Sequence, residues 1–304
     1  VEQSGSRPTE LAAGDTNAVG RMLAQLGDEW TLLVMQQALT GARRYSDFQE
    51  RLSISNAVLS NRLRSLTREG LLVAQAYQTK PPRSEYLTTP RSRSLWPVLV
   101  SIWDWERRWV PDHAKRLPEM RHIACDTDFA PQTTCRSCGD AVTDKDVVAR
   151  WGPSGSWPRS MPAAATRRRS STEARQAGQF PQTMSVLGNR WGFALLVAAF
   201  VGTSRFTDFQ TQLAAPPGSI ADRLLIFTTN GVLAATDNRY RLTEKGRALF
   251  PVLVTALQWA QRWFRAPEGP AVVLTHTTCG RRFSAVLTCD QCTLPLRGTH
   301  VVGG

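Results

Sequence analysis

Leu26-Gly-Asp-Glu-Trp-Thr-Leu-Leu-Val34 recurs as Leu187-Gly-Asn-Arg-Trp-Gly-Phe-Ala-Leu195, 161 residues further on, and this repeat decides how the rest of the chain is read. Working outward, Arg44-Tyr-Ser-Asp-Phe-Gln49 lies over Arg205-Phe-Thr-Asp-Phe-Gln210, Arg62-Leu63 over Arg223-Leu224 and Gly70 over Gly231. The offset then falls to 154 by Tyr86 over Tyr240 and holds through Pro97 over Pro251 and Trp105 over Trp259, so seven residues are missing from one segment of the second copy. A chain of 304 residues with 42% apolar content has room for two cores and is not disordered throughout. Between the copies, Gly152 to Gly178 is rich in Pro, Ser, Ala and Arg without apolar periodicity, which reads as a linker.

Within the first copy, Leu32, Leu33, Gln36 and Leu39 follow a helical rhythm, and Ser46 is the expected N-cap of a short second helix. Ser55 to Glu69 predicts a third helix, with Leu59, Leu63 and Leu66 as its buried stripe and Ala57, Ser60, Asn61 and Arg64 on the opposite face. Gly70 closes that helix, and two strands, Leu71 to Gln78 and Arg83 to Thr88, follow through Lys80-Pro81-Pro82. A long helix carrying Leu95, Val98, Leu99, Ile102, Trp105 and Trp109 has an apolar face wider than one small domain needs, as partner-facing helices often do. This order predicts a winged helix-turn-helix, in which the third helix enters the DNA major groove and the wing meets the backbone.

Leu26-Gly-Asp-Glu-Trp-Thr-Leu-Leu, Arg44-Tyr-Ser-Asp-Phe, Val58-Leu-Ser-Asn-Arg-Leu-Arg-Ser-Leu and Pro81-Pro-Arg-Ser-Glu-Tyr together resemble the HxlR family of bacterial, MarR-like winged-helix transcription regulators. The resemblance continues, in weaker detail, from Leu187 to Trp263. It implies a DNA-binding regulator that dimerises through its first and last helices. Some members resembling this chain sense electrophiles through a cysteine near the start of the first helix, where this chain has Asn17.

Asn56, Ala57, Ser60, Asn61 and Arg64 are the residues expected at the DNA groove, because amides pair a donor with an acceptor and a guanidinium can bond a guanine edge twice. Arg43, Arg44, Lys80 and Arg83 sit on a turn and a hairpin and suit phosphates instead. Solvated surface is the alternative for both sets. In the second copy, Ala57, Ser60, Asn61 and Arg64 become Gly218, Ala221, Asp222 and Leu225, and the deletion blunts the wing to a turn around Asp237-Asn238. Arg205, Arg223, Arg239 and Arg241 remain for weak backbone contact, Arg223 being equally well read as structural.

All six cysteines lie in two matching clusters, His122-x2-Cys125-x9-Cys135-x2-Cys138 and His276-x2-Cys279-x9-Cys289-x2-Cys292. Each is a Cys3His set suited to structural zinc, and the simplest expectation is one ion per tail and two per chain. Such tails also resemble the C-terminal extensions of many HxlR-like proteins. Buried or free thiols are the plain alternative, and a redox switch joining Cys125 to Cys135 or Cys138 beside Arg121, Arg136 or Arg281 is the sharper one.

Ten tryptophans include Trp103, Trp105 and Trp109 on one long helix and Trp259 and Trp263 on its counterpart. They are expected at an interface, or lining a pocket for a flat aromatic effector. The charge of +12 favours a polyanion, double-stranded DNA first. The longest apolar run, Trp191 to Gly202, falls short of the roughly 20 residues a membrane helix needs, and no leader opens the sequence, so a cytoplasmic place at the nucleoid is expected. No phosphate loop, nucleophile elbow or paired-His metalloprotease motif supports an enzyme.

The expected fold is α+β, mainly α. A tail over 1–16 precedes winged helix-turn-helix copies over 17–112 and 181–266, each followed by a zinc-ribbon-like extension, 113–150 and 267–304, with a linker over 151–180. The expected function is a sequence-specific transcription regulator. The first copy reads DNA and the second pairs or senses, as an intramolecular pseudo-dimer that itself dimerises on full operators. The alternatives are an interaction or ligand-binding module with decayed DNA binding, and a thiol redox sensor.

Overall fold

The structure is a computed structural model and describes residues 7–80, 82–114, 117–161 and 181–303. The first copy runs through helices Ala18–Leu26, Glu29–Leu39, Tyr45–Arg51 and Asn56–Arg68, a hairpin of Leu72–Thr79 with Pro82–Thr88, and the long helix Trp96–Trp109. The second repeats this order as Pro181–Leu187, Arg190–Phe200, Phe206–Leu213, Pro217–Thr229, a hairpin of Leu233–Thr236 with Arg239–Leu242, and Phe250–Trp263. Pro81, proposed for the wing turn, lies outside the described residues.

Local chemistry explains where these helices begin. Asn17 accepts from the Gly20 amide (3.1 Å), Asp28 from Thr31 (3.0 Å) and Asn189 from Trp191 (2.8 Å), each satisfying an amide that the first helical turn leaves without a partner. Ser46 is not the cap expected of it. The helix starts two residues earlier, at Tyr45 with Arg44 as its cap, because the Asp47 carboxylate reaches back to the amides of Arg43 (2.9 Å) and Arg44 (2.8 Å). Those two bonds hold the Asp47 carboxyl below the usual carboxylate range.

The two copies do not keep separate cores, contrary to the two-core expectation. One contiguous set of buried side chains runs from Val19, Leu23 and Leu33 through Trp105 to Leu195, Ala256 and Trp259. The copies meet about an approximate two-fold axis. Asp28 and Asn189, equivalent positions, form an antiparallel bridge there. Trp105 donates its indole N–H to the Lys245 carbonyl (2.9 Å), and its counterpart Trp259 donates to that of Arg91 (3.0 Å), the counterpart of Lys245. The Arg91 guanidinium lies 5.3 Å from the Trp263 ring centroid, and the Lys245 ammonium 5.4 Å from that of Trp105.

The tails are exchanged. Strand Pro131–Cys135 pairs antiparallel with its own equivalent, Ala285–Cys289, centred on Thr133 opposite Leu287. Met120–His122 of the first tail pairs with Val301–Gly303 of the second, and Val272–His276 of the second with Val147–Trp151 of the first. The expectation of two self-contained extensions is thereby corrected. Every one of these strands finds its partner in the other tail, because isolated strands this short need neighbours to satisfy their backbone.

The proposed linker also begins as structure. The amide of Gly152 donates to the Ala271 carbonyl (2.9 Å), and a short helix, Trp157–Ser160, packs on helix Ala18–Leu26. Asn17, fully buried, anchors it through its side-chain amide, which donates to the Ser154 carbonyl and the Ser160 hydroxyl, both at 3.0 Å. The rest of that segment, 162–180, lies outside the described residues.

Candidate DNA interface and metal sites

Helix Asn56–Arg68 buries Leu59, Leu63 and Leu66, and this turns Ala57, Asn61 and Arg64 outward into solvent. Asn56 and Ser60 are less free than their sequence positions suggested. The Asn56 side-chain oxygen accepts from Gln49 (2.8 Å) and the Tyr45 hydroxyl (3.2 Å), and the Ser60 hydroxyl lies 3.4 Å from the same tyrosine oxygen. Tyr45 and Gln49 therefore belong to this surface too. The sequence signal for them is their place in the repeated Arg-Tyr-Ser-Asp-Phe-Gln motif, which marks the repeat and the family resemblance but assigns neither residue a contact.

Arg43, Lys80 and Arg83 are exposed, with Arg83 opposite Gln78 near the tip of the wing. Arg44 is divided between roles, since its Nε contacts Glu85 at 3.2 Å and its guanidinium covers the Tyr77 ring at 5.2 Å. Arg62, the counterpart of Arg223, pairs with Asp28 at 2.7 Å and so fastens helix Asn56–Arg68 to the start of helix Glu29–Leu39.

In the second copy the same face carries Gly218, Ala221, Asp222 and Leu225, all exposed, Leu225 to 66%. Phe206 stands where Tyr45 stands in the first copy, so the hydroxyl that organises the first face is missing. The wing shrinks to four residues a side, with Asp237 and Asn238 at φ 51° and 57°, the left-handed pair that a two-residue hairpin turn requires. Arg205 and Arg241 are exposed, Arg223 is half-buried and engaged, and Arg239 donates to the Ser204 hydroxyl (3.2 Å).

The eight Cys and His residues form two groups, but not the two that spacing suggested. His122 and Cys125 meet Cys289 and Cys292, while Cys135 and Cys138 meet His276 and Cys279. In each group all four ligand atoms lie within 4.8 Å of one another. His122 Nδ1 is 3.3 Å from Cys125 Sγ and 3.4 Å from Cys292 Sγ, Cys125 Sγ is 3.8 Å from Cys289 Sγ, and His276 Nδ1 is 3.4 Å from Cys138 Sγ. A tetrahedral zinc with ordinary Zn–S and Zn–N bonds spaces its sulfurs about 3.8 Å apart and sulfur from nitrogen about 3.5 Å. The donor set fits such an ion, and four protein ligands leave no open position for catalysis.

The thiols sit in unequal surroundings. The Thr127 hydroxyl, 2.9 Å from Cys125 Sγ, holds that thiol down to about 6, whereas burial pushes Cys289 up to about 11. His122 presents Nδ1 to the sulfurs, and its buried Nε2 has no hydrogen-bond partner among the described residues. The regrouping also changes the redox alternative, since Cys125 faces Cys289 and not Cys135 or Cys138 of its own tail.

The tryptophans expected at an interface or pocket divide by position. Trp105, Trp259 and Trp263 are buried where the copies meet, Trp263 donating to the Ser94 hydroxyl (2.7 Å). Trp103 is buried against its own tail and donates to the Pro118 carbonyl (2.9 Å), while Trp109 is half-buried against the common core. None of the five lines the large apolar cavity, whose indoles are Trp151 and Trp157. No described helix is long and apolar enough to cross a membrane.

Residues 25–114 and 186–268, together more than half of the chain, match the HxlR-like helix-turn-helix family. An uncharacterized HTH-type transcriptional regulator of Mycobacterium tuberculosis is 33% identical over 136 residues, 45% of this chain and 86% of that protein. Another, of Bacillus subtilis, is 34% identical over 86 residues, 28% of this chain and 80% of that protein. Among solved structures, a candidate transcription factor of Pseudomonas aeruginosa is 25% identical, with a TM-score of 0.36 over 47% of this chain and 97% of that one. The chain belongs to the HxlR-like helix-turn-helix family and is a DNA-binding transcription regulator.

Proposed function

We propose that this regulator reads a specific DNA site through the first copy alone, with the second copy as its built-in pairing partner. The observation that carries the reading is the contrast between two equivalent exposed faces. One presents Asn61 and Arg64, while the other presents Asp222 and Leu225, which offer no donor and add a negative charge where phosphate would lie. A single head seldom reads enough base pairs for an operator, so full sites are read by two chains, each contributing one competent helix. The effective concentration of one copy beside the other favours pairing within the chain over pairing between chains. Each crossed Cys3His group holds a structural zinc, and the protein works in the cytoplasm at the nucleoid.

Titration of labelled genomic fragments tests this directly. Tight, salt-steep binding to particular fragments supports it, and weak, sequence-blind binding at physiological salt overturns it in favour of an interaction module with decayed DNA binding. Light scattering on operator DNA distinguishes two chains per full site from one. The 3.8 Å approach of Cys125 and Cys289 favours thiol chemistry as a second reading. In that case mild oxidant would form a Cys125–Cys289 disulfide, release one metal ion and change DNA affinity.

A further inference from the structure

Among the described residues, an apolar cavity of about 350 Å³ lies where helix Ala18–Leu26 of the first copy meets helices Arg190–Phe200 and Phe250–Trp263 of the second. Met22, Trp151, Trp157, Phe200, Phe250 and Leu257 are in its wall. Trp151 and Trp157 meet edge to face, with centroids 5.3 Å apart. Trp151 (41% exposed) and Val201 (53% exposed) stand with Ala149 and the charged Arg150 at the part of the wall open to solvent, and half-buried Asp144 is the wall's other charged residue. Its size and lining are those of small-molecule sites, commonly about 300–1,000 Å³ and mostly apolar.

The two-fold axis indicates what such a space accepts. The counterpart of Leu257 across the axis is Trp103, only 2% exposed, whose indole N–H is bound by the Pro118 carbonyl. The counterpart of Pro118 is Val272, which is itself part of the cavity wall. On the first-copy side, therefore, an indole built into the chain fills the region between long helix and tail. On the second-copy side a leucine replaces it and the region stays open.

We propose that this cavity binds a planar aromatic molecule of about two fused rings carrying an N–H donor, with the free molecule taking the place that Trp103 takes on the other side. Its wall combines the first copy, the segment after the first tail and the second copy, so an occupant bears on how the copies seat against each other. Any effect on DNA rests on the reading of the first copy as DNA reader, whereas binding itself does not.

The probe is indole, titrated calorimetrically into the full-length chain with its bound metal. The expected result is one saturable site per chain, loss of that site in Leu257→Trp, and a second site in Trp103→Leu, where the filled side is opened. Leu257→Phe, which takes up less of the space, should weaken binding about tenfold and serves if Leu257→Trp does not fold. Absence of saturable binding to the wild-type chain overturns the proposal, as does unchanged affinity in a folded Leu257→Trp or Leu257→Phe. If indole binds but operator affinity is indifferent to it, the site stands and only its coupling to DNA fails.

Discussion

Asp28 and Asn189, 161 residues apart in the chain, face each other in an antiparallel backbone bridge at the axis that relates the two copies. Each also caps its own helix, so one short Leu-Gly-Asx turn both starts a helix and joins the copies. The glycine before each cap is there for space. A Cβ on Gly27 would lie 2.7 Å from the Arg190 Cα, and one on Gly188 would lie 2.7 Å from the Glu29 Cβ.

The first expected outcome follows from that approach. Gly27→Ala and Gly188→Ala should each destabilise the chain by about 1–3 kcal/mol, as overpacking against backbone does. Thermal unfolding measures it. An unchanged melting temperature in both variants would mean that the copies are not held as closely as this bridge requires.

Metal content separates crossed ligation from ligation within each tail. Cys125→Ser and Cys292→Ser strike the same group, so the double variant should retain one zinc per chain. Cys125→Ser with Cys135→Ser strikes both groups and should retain none. Ligation within each tail gives none in the first case and one in the second, and elemental analysis of protein purified without added metal decides. Chelation should loosen the exchanged tails, because ligand binding and tail folding are coupled.

On operator DNA, Asn61→Ala and Arg64→Ala should each lose about 1–3 kcal/mol of specific binding, and Asp222→Ala and Leu225→Ala should lose little. Arg83→Ala should weaken all sequences alike and flatten the salt slope by about one unit. Equal losses from both copies would remove the case for a single reading head.

Glu106 is buried and accepts from the backbone amides of Gln182 (3.0 Å) and Thr183 (2.8 Å), at the start of the second copy's first helix. Lys245 Nζ donates to the Gln182 side chain beside it (2.6 Å). Glu106→Ala should cost about 1–3 kcal/mol by leaving these amides without their acceptor. Hydrogen exchange at the start of helix Pro181–Leu187 should rise first.

The Asp47 carboxyl titrates lower in the folded chain than in the unfolded one because the Arg44 and Arg43 amides bind its charged form. Its contribution is therefore complete above the unfolded carboxylate range, near 4, and is lost as pH falls through the depressed folded value. Asp47→Ala should be less stable than wild type by about 1 kcal/mol at pH 7, with the gap closing in acid. A gap independent of pH would show that the carboxylate's charge plays no part.

Much of this protein could be read from its sequence because the deciding interactions are local. Leu59, Leu63 and Leu66 set the buried stripe of a helix and so place Asn61 and Arg64 outside, and a seven-residue deletion shortens a hairpin wherever that hairpin lies. Each cap, stripe and turn is complete within a few residues. Asn17, by contrast, makes bonds to Ser154 and Ser160 that span more than a hundred residues, beyond any local pattern. Spacing singles out the eight metal ligands but not their grouping. In a duplicated chain both tails carry the same His-x2-Cys and Cys-x2-Cys halves, so ligation within a tail and ligation across tails satisfy the same spacing. Only the pairing of Pro131–Cys135 with its own equivalent, Ala285–Cys289, carries each Cys-x2-Cys half to the other tail's histidine and decides between them.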